Sequence, residues 1–314
     1  MWLVCGEALM DVFGGEDTPG GLALEARVGG SPLNTAIALA RLAQPVAFFG
    51  AVSRGFLGDR LVRAMAAEQL DLRVLQRVDA PTTLGLVGLD DRGVPSYDFY
   101  GHAAADRQLR PDHLPVLRRL PVPWRGLHVG SYATVVEPIA ATLRALVDEA
   151  ATSGTTLVSF DPNVRRNVVP DLAPWRAQLD WMLPRTTVLK ASDEDLALLR
   201  PGVAADEFAR QALAAGVALV VVTRGAAGAV AWSRASGPVA QAAMPVAVVD
   251  TVGAGDTFQA ALLCWLAERG YLSPDAVGRL EGAAVAEALS FAARAAALTC
   301  ARRGADMPRR ALLD

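Results

Sequence analysis

The chain has 314 residues, 52% of them hydrophobic, with 30 basic and 33 acidic side chains and a net charge of −3. This length allows one large domain or two smaller ones, and the near balance of charge excludes a basic nucleic-acid-binding surface. Three widely spaced cysteines without metal-ligand spacing predict reduced thiols and a cytoplasmic protein.

Apolar β-type runs alternate with helical patterns along most of the chain, beginning with a first strand at residues 2–6 rather than a signal peptide. Because strand–helix alternation is typical of parallel sheets, we expect an α/β fold over residues 1–314, with a mostly parallel sheet covered on both faces. No apolar window spans a membrane without a charge, and we expect no membrane partner. The predicted strands are 2–6, 46–52, 126–130, 156–160, 187–189 and 219–223, and the predicted helices include 34–42, 58–68, 139–151 and 206–215.

Two segments, 22–28 and 84–100, alternate with a period of two residues instead. The second contains a hairpin-like turn at Asp90–Gly93. They predict a small β-sheet that stands off the main sheet as a lid, formed by about residues 12–29 and 82–108. An exposed sheet favours a covering partner, which predicts a homodimer through the lid.

Near the C-terminus a β-type run, Ala242–Val249, enters a turn of small residues that leads into an apolar helical pattern. Gly253, Ala254 and Gly255 lie where that helix begins, so we expect unpaired amides that bind an anion. Asp256 lies at the same point. It is interpreted either as a base next to an anion site or as a simple helix cap.

The segment Asp250-Thr-Val-Gly-Ala-Gly-Asp256 resembles the second signature of the ribokinase-like (PfkB) carbohydrate kinases, and Gly29-Gly30-Ser-Pro-Leu-Asn34 resembles the first. The resemblance extends from Gly6 to Gly304. It implies a three-layer α/β/α ribokinase-like fold with a β-sheet lid and a sugar kinase dependent on ATP and Mg²⁺. In such a kinase Asp256 is the general base, and the turn at Gly253 holds the transferred phosphoryl group.

The resemblance also implies a sugar site and a nucleotide site. The residues expected at the sugar are Asp11, Gly29, Gly30, Asn34, Phe99 and Arg165. Those expected at the nucleotide and its Mg²⁺ are Asn163, Lys190, Glu194, Thr223, Gly225 and Gly228. Asp250 and Thr251 are expected to border a monovalent-cation site, with K⁺ as the candidate ion. Helix capping is an alternative role for Asn34 and for Ser192, next to Glu194.

The motifs resemble those of fructokinases most, which predicts fructose 6-phosphate as the product. Gly101, however, stands where fructokinases usually have Arg, and Ala293 where relatives often have Asn. The alternatives are a 2-keto-3-deoxygluconate kinase and a catalytically silent sugar-binding regulator on the same fold. A dehydrogenase is excluded because the first strand-turn lacks Gly-x-Gly-x-x-Gly.

Overall fold

The computed structural model describes residues 1–89 and 95–313, so the hairpin turn expected at Asp90–Gly93 lies outside the described residues. The strands are β1 (Trp2–Cys5), β2 (Leu9–Thr18), β3 (Gly21–Gly29), β4 (Val46–Phe49), β5 (Ala51–Ser53), β6 (Gln76–Val78), β7 (Leu84–Leu89), β8 (Pro95–Tyr100), β9 (Gly126–Gly130), β10 (Leu157–Asp161), β11 (Val188–Ser192), β12 (Leu219–Thr223), β13 (Ala229–Ser233) and β14 (Val239–Gln241). The α-helices are α1 (Ser31–Arg41), α2 (Phe56–Ala67), α3 (Ile139–Ser153), α4 (Ala173–Met182), α5 (Asp193–Leu199), α6 (Ala205–Ala215), α7 (Ala254–Glu268), α8 (Pro274–Gly278) and α9 (Gly282–Cys300).

The central sheet has eight strands in the order β14-β13-β12-β11-β10-β9-β1-β4 among the described residues. The six strands from β4 to β12 are parallel, and β13 and β14 continue the sheet in antiparallel pairs. The carboxyl ends of the parallel strands therefore share one edge. In open sheets of this kind ligands bind at that edge.

Both faces of the central sheet are covered by helices. Along β1, Trp2 and Val4 pack with α1, α7 and α9 on one face, whereas Leu3 and Cys5 pack with α3, α4 and α6 on the other. The near-continuous apolar runs of the sequence follow from this two-sided burial. The α/β/α fold expected from the sequence is confirmed.

A second sheet has the order β3-β2-β7-β8 and stands beside the edge where the parallel strands end. Strands β2 and β3 form an antiparallel ladder, and β2 pairs with β7 in parallel. Leu22, Leu24 and Tyr100 leave 55%, 55% and 62% of their surfaces exposed. The predicted small sheet is present, and most of β2 lies within the predicted range 12–29, although the two-residue periodicity marked only 22–28 there.

Two strand predictions are wrong. The run 46–52 is split at Gly50, because β4 joins the central sheet whereas β5 pairs with β6. The run Ala242–Val249 forms no strand. The sheet ends at β14, and the Val249 amide donates to the Cys300 carbonyl at 2.8 Å instead of to a neighbouring strand.

Among the described residues, one helix, Gly282–Cys300, is long and apolar enough to cross a membrane by length and composition alone. A core helix of a soluble protein passes the same test. Val285, Leu289 and Ala292 of this helix are buried in the core next to α7.

Candidate active site

Helix α7 begins at Ala254, where the sequence predicted a helix start, and lies beside the edge where the parallel strands end. Its N-cap, Gly253, has φ = 77°, and a Cβ there would lie 2.7 Å from the Ala305 Cβ, so the turn requires glycine. Within the described part of the chain, the amides of Gly255 and Asp256 have no hydrogen-bond partner. The amide of Ala254 donates to the Thr251 carbonyl at 3.2 Å, so the expectation of an unpaired amide is wrong at this residue.

The Asp256 carboxylate lies in the first turn of α7 but does not cap it. Ser31 Oγ donates to Oδ1 at 2.6 Å, and Asn34 Nδ2 donates to Oδ2 at 2.9 Å. Burial raises the pKa of Asp256, and the two donors and Arg165 act in the opposite direction. The capping interpretation is wrong, since the carboxylate turns toward α1 and not toward its own helix amides.

Ser31 is a site residue that the sequence reasoning missed. Its hydroxyl donates to Asp256 and accepts from Asn163 Nδ2 at 2.7 Å. The signal was its place between Gly30 and Pro32 at the start of α1, where a hydroxyl points out of the helix end. Asn34 does not cap α1 either, because Gly30 is the N-cap and Asn34 bonds to Asp256.

Asp11 lies on β2 of the second sheet, facing the same edge. A Cβ at Gly29 would lie 2.1 Å from the Asp11 Oδ2, and one at Gly30 would lie 2.6 Å from the Glu7 carbonyl oxygen. Gly29 and Gly30 are therefore needed because a side chain at either position would collide with the Asp11 carboxyl group or with the Glu7 carbonyl oxygen. At Gly85 a Cβ would lie 3.1 Å from the Asp11 Oδ1 and 3.2 Å from the Phe99 ring, so Phe99 flanks Asp11. Burial raises the pKa of Asp11 to about 6.

Arg165 follows β10 and supplies positive charge to this cluster of acids. It lowers the pKa values of Glu7, Asp11 and Asp256 against the effect of burial. The neighbouring Arg166 is exposed. Arg165 is therefore surrounded by the carboxyl groups of the expected sugar site.

Glu7 is a second residue whose role the sequence reasoning missed. Its side chain is 1% exposed, Oε2 has no hydrogen-bond partner, and burial raises its pKa to about 8 despite a hydrogen bond with Ser131. Asp106 lies nearby and raises the pKa further. Burial therefore favours the protonated, uncharged form of Glu7 beneath the site.

Lys190 forms a buried ion pair. Its Nζ lies 2.7 Å from the Asp161 Oδ2, and each side chain is 4% exposed. A Cβ at Gly255 would lie 3.7 Å from the same Nζ, which places the ammonium directly beneath the α7 turn. The structure thus brings Lys190 to the anion-binding turn and pairs it with Asp161, a residue to which the sequence reasoning assigned no role.

Replacing Lys190 with Met is expected to lower the free energy of unfolding by about 3–5 kcal/mol, because Asp161 is left charged and buried without its partner. Urea denaturation at pH 7 measures the loss. Adding Asp161→Asn to that variant should recover a large part of it, because the uncompensated charge is removed. A loss below about 1 kcal/mol in the single variant would contradict this account.

The other residues expected to bind the nucleotide, Glu194, Thr223, Gly225 and Gly228, lie at or just beyond the ends of β11 and β12. The turn from Thr223 to Gly228 is closed by the Arg224 amide, which donates to the Gly228 carbonyl at 2.7 Å, and Gly225 starts a short 3₁₀ turn within it. Glu194 is exposed in the first turn of α5. The expected cap is confirmed, because the Ser192 hydroxyl accepts from the Asp195 amide at 2.9 Å.

Asp250 connects the anion-binding turn to the segment 304–313. Its Oδ1 accepts from the Val252 amide at 3.0 Å, and its Oδ2 accepts from the Gly304 amide at 2.8 Å. Arg41 then holds that segment through Asp306 and the Met307 carbonyl, each at 2.7 Å. Thr251 is exposed beside the turn.

The space beside Gly101 is filled by another arginine. The Arg107 Nη2 lies 2.7 Å from where a Cβ at Gly101 would be, and its guanidinium stands over the Tyr132 ring at 5.5 Å from the centroid. Positive charge is therefore present here even though residue 101 is glycine.

No cluster of three or more His, Cys, Asp or Glu side chains able to hold a metal occurs in the described residues. The acidic groups next to the turns, Glu194 and Asp193, are exposed single carboxylates. This donor set fits Mg²⁺, which keeps several waters and is held mainly by substrate phosphates.

Known proteins resemble the chain over nearly its whole length. It matches the pfkB family of carbohydrate kinases over residues 2–311. A fructokinase from Rhizobium leguminosarum bv. trifolii is 34% identical over 281 residues, which is 90% of this chain and 84% of that one. A Klebsiella pneumoniae fructokinase is 35% identical over 284 residues, with 88% and 87% covered.

Solved structures agree with the sequence relatives. The Xylella fastidiosa fructokinase with bound ATP matches with a TM-score of 0.88 at 29% identity, covering 99% of this chain and 96% of that one. The fructokinase from Vibrio cholerae O395 bound to fructose, ADP and calcium ion matches with a TM-score of 0.82 at 27% identity, covering 99% and 97%. With the α7 turn and Asp256 in place at the edge of a ribokinase-like sheet, the chain belongs to the pfkB family of carbohydrate kinases.

Proposed function

We propose that this carbohydrate kinase transfers the γ-phosphoryl group of ATP to fructose to form fructose 6-phosphate. The observation that carries the proposal is the buried Asp256 carboxylate, held by Ser31 and Asn34 next to the free amides of the α7 turn. A base and an anion site at one point are the two requirements of phosphoryl transfer to an alcohol. The fructokinases that the chain resembles support fructose as the acceptor.

In this mechanism Asp256 accepts the proton of the attacking hydroxyl. Ser31 and Asn34 fix the carboxylate oxygens, so that the base needs no reorientation before the reaction. The amides at Gly253, Gly255 and Asp256, with the positive end of α7, stabilise charge on the transferred group. Lys190 adds a positive charge beneath the same turn.

Asp11 would hold sugar hydroxyls, with Gly29, Gly30, Asn34 and Phe99 around the ring. The charge balance at Arg165 favours a neutral sugar. Arg165 already faces the carboxyl groups of Asp11 and Asp256, and the carboxylate of 2-keto-3-deoxygluconate would add a further negative charge there. The keto-deoxy acid is therefore the less favoured substrate.

For the nucleotide we propose Asn163 and the turn containing Thr223, Gly225 and Gly228. Mg²⁺ would be bound through water by Glu194, and it would neutralise phosphate charge. K⁺ would lie beside Thr251. The carboxylate of Asp250 already accepts two amides, which leaves backbone carbonyls of the 250–252 turn as ligands for the cation.

The second sheet, with its flanking residues about 12–29 and 82–108, would act as the lid that closes over the sugar and excludes water. From here on we refer to this sheet as the lid. The exposed Leu22 and Leu24, which alternate on β3 and so share one face of the lid, support a homodimer formed through the lid, because exposed apolar side chains on one face favour a partner surface. The free thiols of Cys5, Cys264 and Cys300 support a cytoplasmic location.

The acceptor is tested by ADP release with Mg-ATP against fructose, 2-keto-3-deoxygluconate, ribose, glucose and adenosine, each with and without K⁺. We expect fructose to give the highest kcat/KM because Arg165 is already compensated by the carboxyl groups of Asp11 and Asp256, which favours an uncharged sugar. Higher turnover with the keto-deoxy acid would contradict the assignment and make Arg165 a carboxylate-binding residue. Absence of turnover with all five, with sugar binding still measurable, would favour a silent regulator.

A further inference from the structure

Arg27 is a lid residue that faces the active site. It lies opposite Asp11 in the antiparallel ladder of β2 and β3. Side chains directly opposite each other in such a ladder point to the same face of the sheet. The charges of Arg165 and Asp256 act on the pKa of Asp11, so Asp11 lies on the side of the lid that faces these two residues. Arg27 projects from the lid toward the same side.

The guanidinium of Arg27 lies between the lid and the anion-binding turn. Its Nη1 is 2.6 Å from where a Cβ at Gly304 would be. The Gly304 amide donates to Asp250, and the next residue, Ala305, is the one that packs against Gly253. Arg27 thus contacts the segment that supports the α7 turn from behind.

Arg27 has a counter-ion that is easily exchanged. Its Nε donates to the Glu25 Oε1 at 2.8 Å, with Nη2 at 2.7 Å, while the guanidinium lies 5.5 Å from the centroid of the Phe13 ring. Glu25 is 54% exposed. An ion pair to so exposed a carboxylate contributes little to stability and is replaced at low cost.

Two other cations at this edge, Lys190 and Arg165, are already engaged. Lys190 is buried against Asp161, and Arg165 faces the carboxyl groups of the sugar site. Arg27, by contrast, is paired with an exposed carboxylate, and its planar fork matches phosphate oxygens.

We propose that Arg27 binds the polyphosphate of the nucleotide from the lid, exchanging Glu25 for phosphate oxygens. The inference deepens the proposed kinase function and rests on it. Because Asp11 and Arg27 are ladder partners, one pair of strands would hold the sugar and the phosphate together. The lid would then close fully only when both substrates are bound, which makes their binding cooperative.

The test is equilibrium binding of a non-hydrolysable ATP analogue with Mg²⁺, of tripolyphosphate and of adenosine, measured by calorimetry. For Arg27→Ala we expect about tenfold weaker binding of the analogue and of tripolyphosphate, the size of a lost charge-assisted hydrogen bond, with adenosine unchanged. Glu25→Gln should tighten tripolyphosphate binding because the competing carboxylate is removed. Fructose should tighten analogue binding in the parent and not in Arg27→Ala.

Arg210→Ala is the matched control, since Arg210 is likewise paired with an exposed carboxylate, that of Glu207, but lies on α6. It should bind all three probes as the parent does. Unchanged tripolyphosphate affinity in Arg27→Ala would overturn the proposal, as would an equal loss for adenosine. If Arg27→Ala fails to fold, the same binding measurements are made on Arg27→Lys, for which we expect a smaller loss of affinity for the analogue and for tripolyphosphate. None of these measurements requires turnover, and the binding of tripolyphosphate, of adenosine and of the analogue without sugar does not depend on the fructose assignment.

Discussion

Replacing Asp256 with Asn is expected to lower kcat by about 10²–10⁴-fold while sugar and nucleotide affinities stay within a few fold. The amide keeps the shape of the carboxylate and a hydrogen bond to α1, but it cannot take the proton of the sugar hydroxyl. Steady-state kinetics with fructose and calorimetric binding of the sugar give the two readouts. Asp148→Asn, in an exposed ion pair with Arg185, is the control and should retain full activity.

The pH dependence of kcat/KM gives an independent check on the same residue. Because the deprotonated carboxylate is the active form and burial raises its pKa, the rate should rise with pH through that pKa. Ser31→Ala removes a donor that lowers the pKa of Asp256, so its acidic limb should shift to higher pH. A variant at Asp256 that keeps more than about a tenth of the parent kcat would exclude the base role.

Replacing Glu7 with Gln is expected to change how the free energy of unfolding varies with pH. A rise in pKa from 4.5 to about 8 corresponds to an upper limit of about 5 kcal/mol. The folded state holds the proton that the unfolded state releases, so this stability is present below pH 4.5 and is lost as the pH rises to about 8. Gln carries no ionisable proton and should remain stable over that range.

Urea denaturation of both proteins at pH 5 and pH 8 measures the difference. Asp106, Arg165 and Tyr132 face Glu7 in both proteins, so comparing the two isolates the contribution of Glu7. Glu149→Gln, at an exposed position of α3, should follow the parent at both pH values. Parallel curves for the parent and Glu7→Gln would show that Glu7 is ionised in the folded state.

Much of the fold was predictable because its signals are local. Buried parallel strands need apolar residues on both faces, so the strands that flank α3 and α6 could be located from composition alone. The start of α7 was predictable for a similar reason, since glycine favours the left-handed backbone of Gly253 and a Cβ there would collide with Ala305. The strand predicted at Ala242–Val249 was wrong because β-propensity does not reveal whether a neighbouring strand is available for pairing.

The site was predictable in its members but less so in its contacts. Both signatures marked Asn34 and Asp256, yet the bonds from Ser31 and Asn34 span 225 and 222 residues and depend on how α1 packs on α7. The state of Glu7 depends on burial by β1, its neighbours and the 131–134 turn, which no local pattern encodes. The pairing of Asp161 with Lys190 follows from the adjacent strands β10 and β11, which lie about 30 residues apart in the sequence.

The segment 304–313 helps to fix the position of the turn at the start of α7, although it is distant from that turn in the sequence. Asp250 and Arg41 attach it from two sides, and Ala305 forms the back of the turn at Gly253. The same segment places Met307 and Leu313 in the hydrophobic core. A mutation that loosens its attachment would therefore disturb the α7 turn and the core together, so the position of the turn depends on residues about 50 positions further along the chain.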